Sequence, residues 1–202
     1  MATFKMFETG VLRKGALGLA GLAFASGVVA GPIAGAHTEA PRMTPAAAAV
    51  RVDKPAMEKL IPHGVQGEQS RIPLDAEQTN NAKAIIKATK KAGMDERAAV
   101  VAIATALQES KLENLGHLGE RNDHDSQGLF QQRPSSGWGT VEQITDPEYA
   151  TTAFLKALRQ VDGWEEMPLT QAAQTVQVSA FPFHYAKWEQ AAAELVHQYW
   201  NS

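Results

Sequence analysis

The chain contains no cysteine among its 202 residues, which excludes a disulfide framework and thiolate metal sites. Its formal net charge of -3 is too small and of the wrong sign for general binding to nucleic acid. Apolar residues make up 44% of the sequence, enough for a core that needs no cross-links. The absence of cysteine fits both cytosolic proteins and exported bacterial proteins, so the compartment has to be inferred from the N-terminal sequence.

The N-terminal segment has the three-part pattern of a secretory signal. Three basic residues precede an uncharged stretch over residues 15–36, which ends in Ala34-Gly35-Ala36, a small-residue cleavage pattern. We therefore predict a signal peptide over residues 1–36 and a secreted, cell-surface location for the rest. An uncleaved membrane anchor is the alternative, since about 20 apolar residues can span a bilayer. The high glycine content and Pro32 favour cleavage, with no stable membrane insertion afterwards.

Residues 37–73 are predicted to form a disordered linker rich in proline and alanine. Five of the ten prolines lie in this stretch, and it buries too little apolar surface to offset its ordering entropy. The folded domain is accordingly predicted to span residues 74–202.

Capping residues and apolar spacing predict a mostly α domain of five helices. The helices are expected at about 76–92, 95–110, 147–161, from 171 onward, and 184–200. Within the second helix the run "AAVVAIATAL" is apolar around nearly its whole circumference, which is typical of a helix in the middle of a domain. Only "GLFQQR", residues 128–133, suggests a short strand or hairpin.

The carboxylate of Glu109 lies at the end of that apolar helix. Burial disfavours its charged form, and the negative end of the helix dipole acts in the same direction, so its pKa should be raised. A carboxyl group that stays protonated near neutral pH is suited to general acid catalysis, as glycosidic bond cleavage requires. A long glycine-rich loop rich in sugar-binding side chains follows, and loops of this length are usually functional.

Two motifs in this region resemble the soluble lytic transglycosylase family of the lysozyme-like fold. They are Glu109-Ser110 and, nineteen residues after Glu109, Gly128-Leu129-Phe130-Gln131. The resemblance extends over about residues 75–200 and is similar to the compact exported type of actinobacteria and their phages. It implies an enzyme that needs no cofactor or metal and cleaves the MurNAc–GlcNAc bond of peptidoglycan glycan strands, acting as a cell-wall-associated monomer.

The resemblance also implies roles for individual residues. Glu109 would protonate the glycosidic oxygen and then act as a base while the substrate's 6-hydroxyl forms a 1,6-anhydro end. Ser110 would support it, and Ser126, Gly128 and Gln131 would line the cleft. Trp138, flanked by glycines, is predicted either to stack on sugar or to pack the loop onto the core.

One departure from the family lies in "QVSAFPFHYA", residues 177–186, where the expected Ala-Tyr-Asn-Ala-Gly motif is missing. Ser179, Phe181 and Tyr185 are the candidate replacements, and Tyr185 is included among the predicted substrate-binding residues. The departure keeps open a non-catalytic domain that binds wall glycans.

Asp123 and Asp125 keep a hydrolytic alternative open. Either could provide the second carboxylate of a muramidase, which would yield a reducing end. The same stretch, "DHDSQG", only loosely resembles a calcium loop, because Pro134 stands where the bidentate glutamate belongs. We therefore expect no metal.

Overall fold

Helices dominate the residues that the computed structural model describes, 53–179 and 183–202. Within these ranges the only β geometry is an isolated bridge between Gln127 and Gln132, so the predicted mostly α class is confirmed. The predicted signal peptide and residues 37–52 of the predicted linker lie outside the described residues. None of the described helices is both long enough and apolar enough to cross a bilayer.

The described residues form seven α-helices, and short 3₁₀ turns connect several of them. The helices are α1 (Met57–Leu60), α2 (Ala76–Lys91), α3 (Glu96–Ser110), α4 (Val141–Ile144), α5 (Pro147–Leu158), α6 (Leu169–Gln177) and α7 (Glu189–Tyr199). The 3₁₀ turns are Gly119–Arg121, Pro134–Ser136, Trp164–Glu166 and Ala186–Trp188. Five of the helices correspond to the predicted ones, and α1 and α4 are additional single-turn elements.

The predicted helix starts are fixed by aspartate caps. Asp75 accepts a hydrogen bond from the backbone N–H of Gln78, whose side chain bonds back to the Asp75 backbone, forming a capping box. Asp95 caps α3 by accepting a hydrogen bond from the backbone N–H of Ala98, and Asp146 caps α5 ahead of a proline at the first helical position. These short-range signals explain why the boundaries could be predicted from sequence.

Helix α3 is the central helix of the domain. All residues from Arg97 to Leu107 are buried, and α3 packs against α2, α5, α6 and α7. Neighbours on every side explain why the helix has no polar face. Its C-terminal end leaves the core at Glu109, so the helix carries that carboxylate to the domain surface while keeping it partly covered.

The packed domain begins before the predicted boundary at Leu74. Leu60 in α1 is fully buried in the core, and its carbonyl accepts a 2.8 Å hydrogen bond from Nη1 of Arg97. The same guanidinium pairs at 2.7 Å with Glu189, with both side chains buried, so it joins α1, α3 and α7. Residues 53–73 therefore include a packed segment, which a linker prediction based on proline content could not reveal.

Leu60→Ala is expected to destabilise the domain by about 2–3 kcal/mol, because it removes a fully buried side chain beside a buried ion pair. Urea unfolding followed by circular dichroism measures this change. Leu118→Ala is the matched control, since Leu118 is 38% exposed and should lose less than about 0.5 kcal/mol. Equal stabilities for the two variants would contradict the packing of α1.

Candidate active site

The end of α3 is shaped by two successive residues in left-handed backbone conformations. Lys111 has φ 59° and Leu112 has φ 65°, so the chain turns sharply away directly after Glu109 and Ser110. The Ser110 hydroxyl is buried and donates to the carbonyl of Leu129 at 2.8 Å. Ser110 thus joins the helix end to the loop, and it is not among the residues that line the cleft.

Glu109 accepts a hydrogen bond from a tyrosine far away in the sequence. The hydroxyl of Tyr185 donates to Oε1 of Glu109 at 2.6 Å, and the Tyr185 side chain is buried. Of the three candidate replacements for the missing motif, Tyr185 is thus the one placed on the carboxylate, whereas Ser179 lines the cleft. Phe181 lies outside the described residues.

Burial raises the pKa of the Glu109 carboxyl above its ordinary value. Hydrogen bonds from Tyr185 and Gln177 and the charge of Lys111 favour the ionised form, but they only partly offset the loss of solvation. Burial and the neighbouring Glu109 also raise the pKa of the Tyr185 phenol, which therefore remains a hydrogen-bond donor. The pair therefore supplies a carboxyl group whose pKa is raised by burial and whose orientation is fixed by Tyr185.

Glu109 lines a cleft of about 660 Å³, and the lining of this cleft is predominantly polar. The lining residues are Gln108, Glu109, Asp123, Ser126, Gln131, Gln132, Arg133, Ser136, Trp138, Gln177, Val178 and Ser179. Amide and hydroxyl side chains can both donate and accept hydrogen bonds, as sugar hydroxyl groups require. The cleft is therefore chemically suited to a glycan.

Ser126 and Gln131, both predicted to line the cleft, do so. Ser126 is buried, and its hydroxyl accepts a 3.0 Å hydrogen bond from Nε of Arg133. Gln131 has φ 47° and its side chain donates to the carbonyl of Gly128, closing a tight turn. The turn is bracketed by the Gln127–Gln132 bridge, which corresponds to the short hairpin suggested by the sequence.

Gly128 has a different role from the predicted one. Its φ is 77°, and a Cβ atom there would lie 2.1 Å from the carbonyl oxygen of Ile144 at the end of α4. Its backbone N–H donates to the carbonyl of Leu115 at 2.7 Å. Gly128 is not among the cleft-lining residues; it is needed where the loop backbone packs against α4.

The two candidate second carboxylates differ in position. Asp123 lines the cleft and pairs with Arg133 at 2.6 Å and with His124 at 2.7 Å, whereas Asp125 accepts hydrogen bonds from the backbone and hydroxyl of Ser135. The hydrogen bonds from His124 and Ser135 hold the pKa of Asp123 and of Asp125, respectively, below the usual range. Asp125 is not among the cleft-lining residues, so only Asp123 shares the cleft with Glu109.

Trp138 both packs against the hydrophobic core and lines the cleft. Packing of the loop onto the core is thus observed, while stacking on a sugar remains a prediction. Across the described residues no group of three histidine or acidic side chains is arranged to hold a metal ion.

Several residues in and around the cleft were not predicted, among them Gln177, Gln108 and Lys111. Gln177 ends α6, lines the cleft, hydrogen-bonds Glu109 and donates to the carbonyl of Phe130 at 2.8 Å. Gln108 lines the cleft and accepts from the indole of Trp188 at 2.9 Å. The Lys111 ammonium donates to carbonyls of the last turn of α3, where it counters the negative end of the helix. Gln108 could have been identified as a site residue because it directly precedes Glu109. No pattern in the sequence around Gln177 marks that residue as part of the site.

No family model matches the chain, and no curated protein is significantly similar to it. The assignment of a function therefore depends on the geometry around Glu109 and on the motif resemblance.

Proposed function

We propose that the protein is an exported lysozyme-like enzyme that cleaves the MurNAc–GlcNAc bond of peptidoglycan, with Glu109 as its acid and base. The observation that carries this proposal is a desolvated carboxyl group, held by Tyr185, on the wall of a polar cleft. The motif resemblance around Glu109 and Gly128 supports the same substrate class.

The chemistry follows from one carboxyl group used twice. Protonated Glu109 gives its proton to the glycosidic oxygen as the bond to the anomeric carbon breaks, leaving an oxocarbenium-like centre. The resulting carboxylate then accepts the proton of the sugar's 6-hydroxyl while that oxygen bonds to the anomeric carbon. Glu109 is protonated again, and the product is a 1,6-anhydro ring. Tyr185 keeps the carboxyl group oriented through both steps.

Hydrolysis is the second candidate, favoured by one observation. Asp123, whose pKa is held below its usual range by the hydrogen bond from His124, lines the same cleft as Glu109, so it could act on a water molecule or on the anomeric carbon. Its contacts with Arg133 and His124 oppose this role, because a partnered carboxylate is a weaker base and nucleophile. We therefore rank transglycosylation first.

The proposal is tested by incubating insoluble peptidoglycan with residues 37–202 and measuring both bound protein and released glycan fragments. Release of soluble fragments supports cleavage, whereas binding without release would support the non-catalytic wall-binding alternative. An Asp123→Asn variant is measured alongside. If the reaction is transglycosylation, the Asp123→Asn variant should retain most of the release rate. A loss of a hundredfold or more would favour hydrolysis instead, because removing a positioned acid–base group costs about 10²–10⁴ in rate.

Tyr185→Phe is expected to shift the alkaline limb of the pH profile of kcat/KM to higher pH. The hydrogen bond from Tyr185 favours the ionised form of Glu109, so its removal raises the pKa of the acid, which then keeps its proton to higher pH. The profile is measured with soluble glycan fragments. Tyr149→Phe, at a partly exposed position on α5, is the control and should leave the limb unchanged. A shift to lower pH in Tyr185→Phe would contradict the assignment.

A further inference from the structure

A second concave surface lies between α2 and the C-terminal end of α7. This groove has a volume of about 350 Å³ and shares no residue with the Glu109 cleft. Its lining residues are Lys83, Ile86, Lys87, Lys90, Tyr199, Trp200 and Ser202. They include three lysines and no acidic side chain, although the whole chain has a net charge of -3.

The three lysines form a row along one face of α2. Positions 83, 87 and 90 follow the spacing of neighbours on a helix surface, so their Cα atoms are separated by about 6 Å and about 4.5 Å along the axis. The side chain of Lys87 is exposed and makes no hydrogen bond or ion pair with any described residue. Lys91, outside the groove, pairs with Glu148 instead. In the part of the chain that the structure describes, no acidic side chain pairs with these three lysines, so no ion pair neutralises the positive charge of the row.

Two aromatic rings form the opposite wall. The Lys83 ammonium lies 4.7 Å from the centroid of the Tyr199 ring, and the Lys90 ammonium lies 5.3 Å from that of Trp200. Lys90 also donates to the Trp200 carbonyl at 2.7 Å, which fixes the end of α7 against α2. Aromatic side chains of this kind combine an apolar face with a polar edge, so the wall can pack on C–H groups beside charged ones.

We propose that this groove binds a phosphate-bearing polyol or sugar polymer. Lysine ammonium groups bind phosphate as point charges, and the lysine row can follow phosphates that repeat along one flexible chain. The parts of the Tyr199 and Trp200 rings that stay exposed beside the ammonium groups would contact the carbon units between the phosphates. A narrow concave groove accepts a single flexible chain, while a nucleic-acid duplex or a bilayer would meet only its rim. The inference does not depend on glycan cleavage at Glu109.

The test is calorimetric binding of poly(glycerol phosphate) to residues 37–202 at low and at moderate salt. Lys83→Gln/Lys87→Gln should bind about tenfold more weakly and with a smaller salt dependence, since each exposed charge pair contributes modestly. Lys54→Gln/Lys156→Gln, at two exposed lysines outside the groove, removes the same charge and should bind as the unmodified protein does. Circular dichroism checks that both double variants remain folded.

Three further probes identify the ligand class. Inorganic polyphosphate should bind more weakly per phosphate than poly(glycerol phosphate), because it offers no carbon units to the rings. Equal binding of the two polymers would contradict the aromatic contribution. Equal or tighter binding of duplex DNA or anionic lipid vesicles, or an equal loss of affinity in both double variants, would overturn the proposal.

Discussion

Glu109→Gln is expected to lower the rate of glycan release by about a thousandfold, within the range of about 10²–10⁴ found for a positioned acid–base group. Glutamine has nearly the same shape and still accepts a hydrogen bond from Tyr185, but it has no proton to give and cannot act as a base. The effect should appear in kcat more than in KM, because the proton transfer occurs only in the transition state. Release of soluble fragments from purified peptidoglycan is the assay.

Glu113→Gln is the matched control for this variant. Glu113 is exposed, lies four residues beyond Glu109 and is outside the cleft, so its replacement removes the same formal charge without touching the site. We expect its release rate to stay within about twofold of the unmodified protein. Glu109→Gln should unfold at the same or a higher temperature near neutral pH, because burial disfavours the charge that it removes. Equal rates for the two variants would contradict the role of Glu109.

Gly128→Ala is expected to destabilise the domain by about 4 kcal/mol or more, the range associated with a severe local conflict. The new methyl group would lie 2.1 Å from the carbonyl oxygen of Ile144, and the backbone has φ 77°. The Ile144 carbonyl oxygen and carbon that the methyl group would meet are backbone atoms, so the conflict is relieved only if the loop or α4 moves. Because the loop carries Ser126 and Gln131, the release rate should also fall.

Gly137→Ala separates the two contributions to this effect. Gly137 has φ 81°, but no atom lies within 4 Å of a Cβ built there. Only the cost of a left-handed backbone applies, which is about 1–2 kcal/mol. Chemical denaturation of both variants measures the difference. Similar free energies of unfolding for the two variants would show that the loop does not pack on α4 as described.

The helical framework follows from local rules that the sequence displays. The aspartates at positions 75, 95 and 146 fix helix starts through hydrogen bonds only three residues long. The uniformly apolar run in α3 required a central position, and the structure provides neighbours on all sides. The position of Glu109 at the end of this helix, partly buried with a raised pKa, follows from the same pattern.

Contacts between distant segments could not be predicted. The bond from Tyr185 to Glu109 spans 76 residues, and the sequence left three candidates open for that position. Leu60 is a single apolar anchor in a proline-rich stretch, so no periodicity marks it as core. The motif around Gly128 predicts that this residue contacts the ligand, whereas its actual environment depends on how α4 packs against the loop. Each case is decided by tertiary packing, which residue spacing does not encode.

The catalytic role of Glu109 is tested most directly by mass spectrometry of the muropeptides that are released from peptidoglycan in water labelled with a heavy oxygen isotope. We predict 1,6-anhydro-muramic ends, which are lighter than reducing ends by one water molecule and contain no labelled oxygen. They should be absent when Glu109→Gln is used. Labelled reducing ends would instead establish hydrolysis and direct attention to Asp123. Unchanged products from the Glu109→Gln variant, or no glycan products from folded protein, would contradict the account.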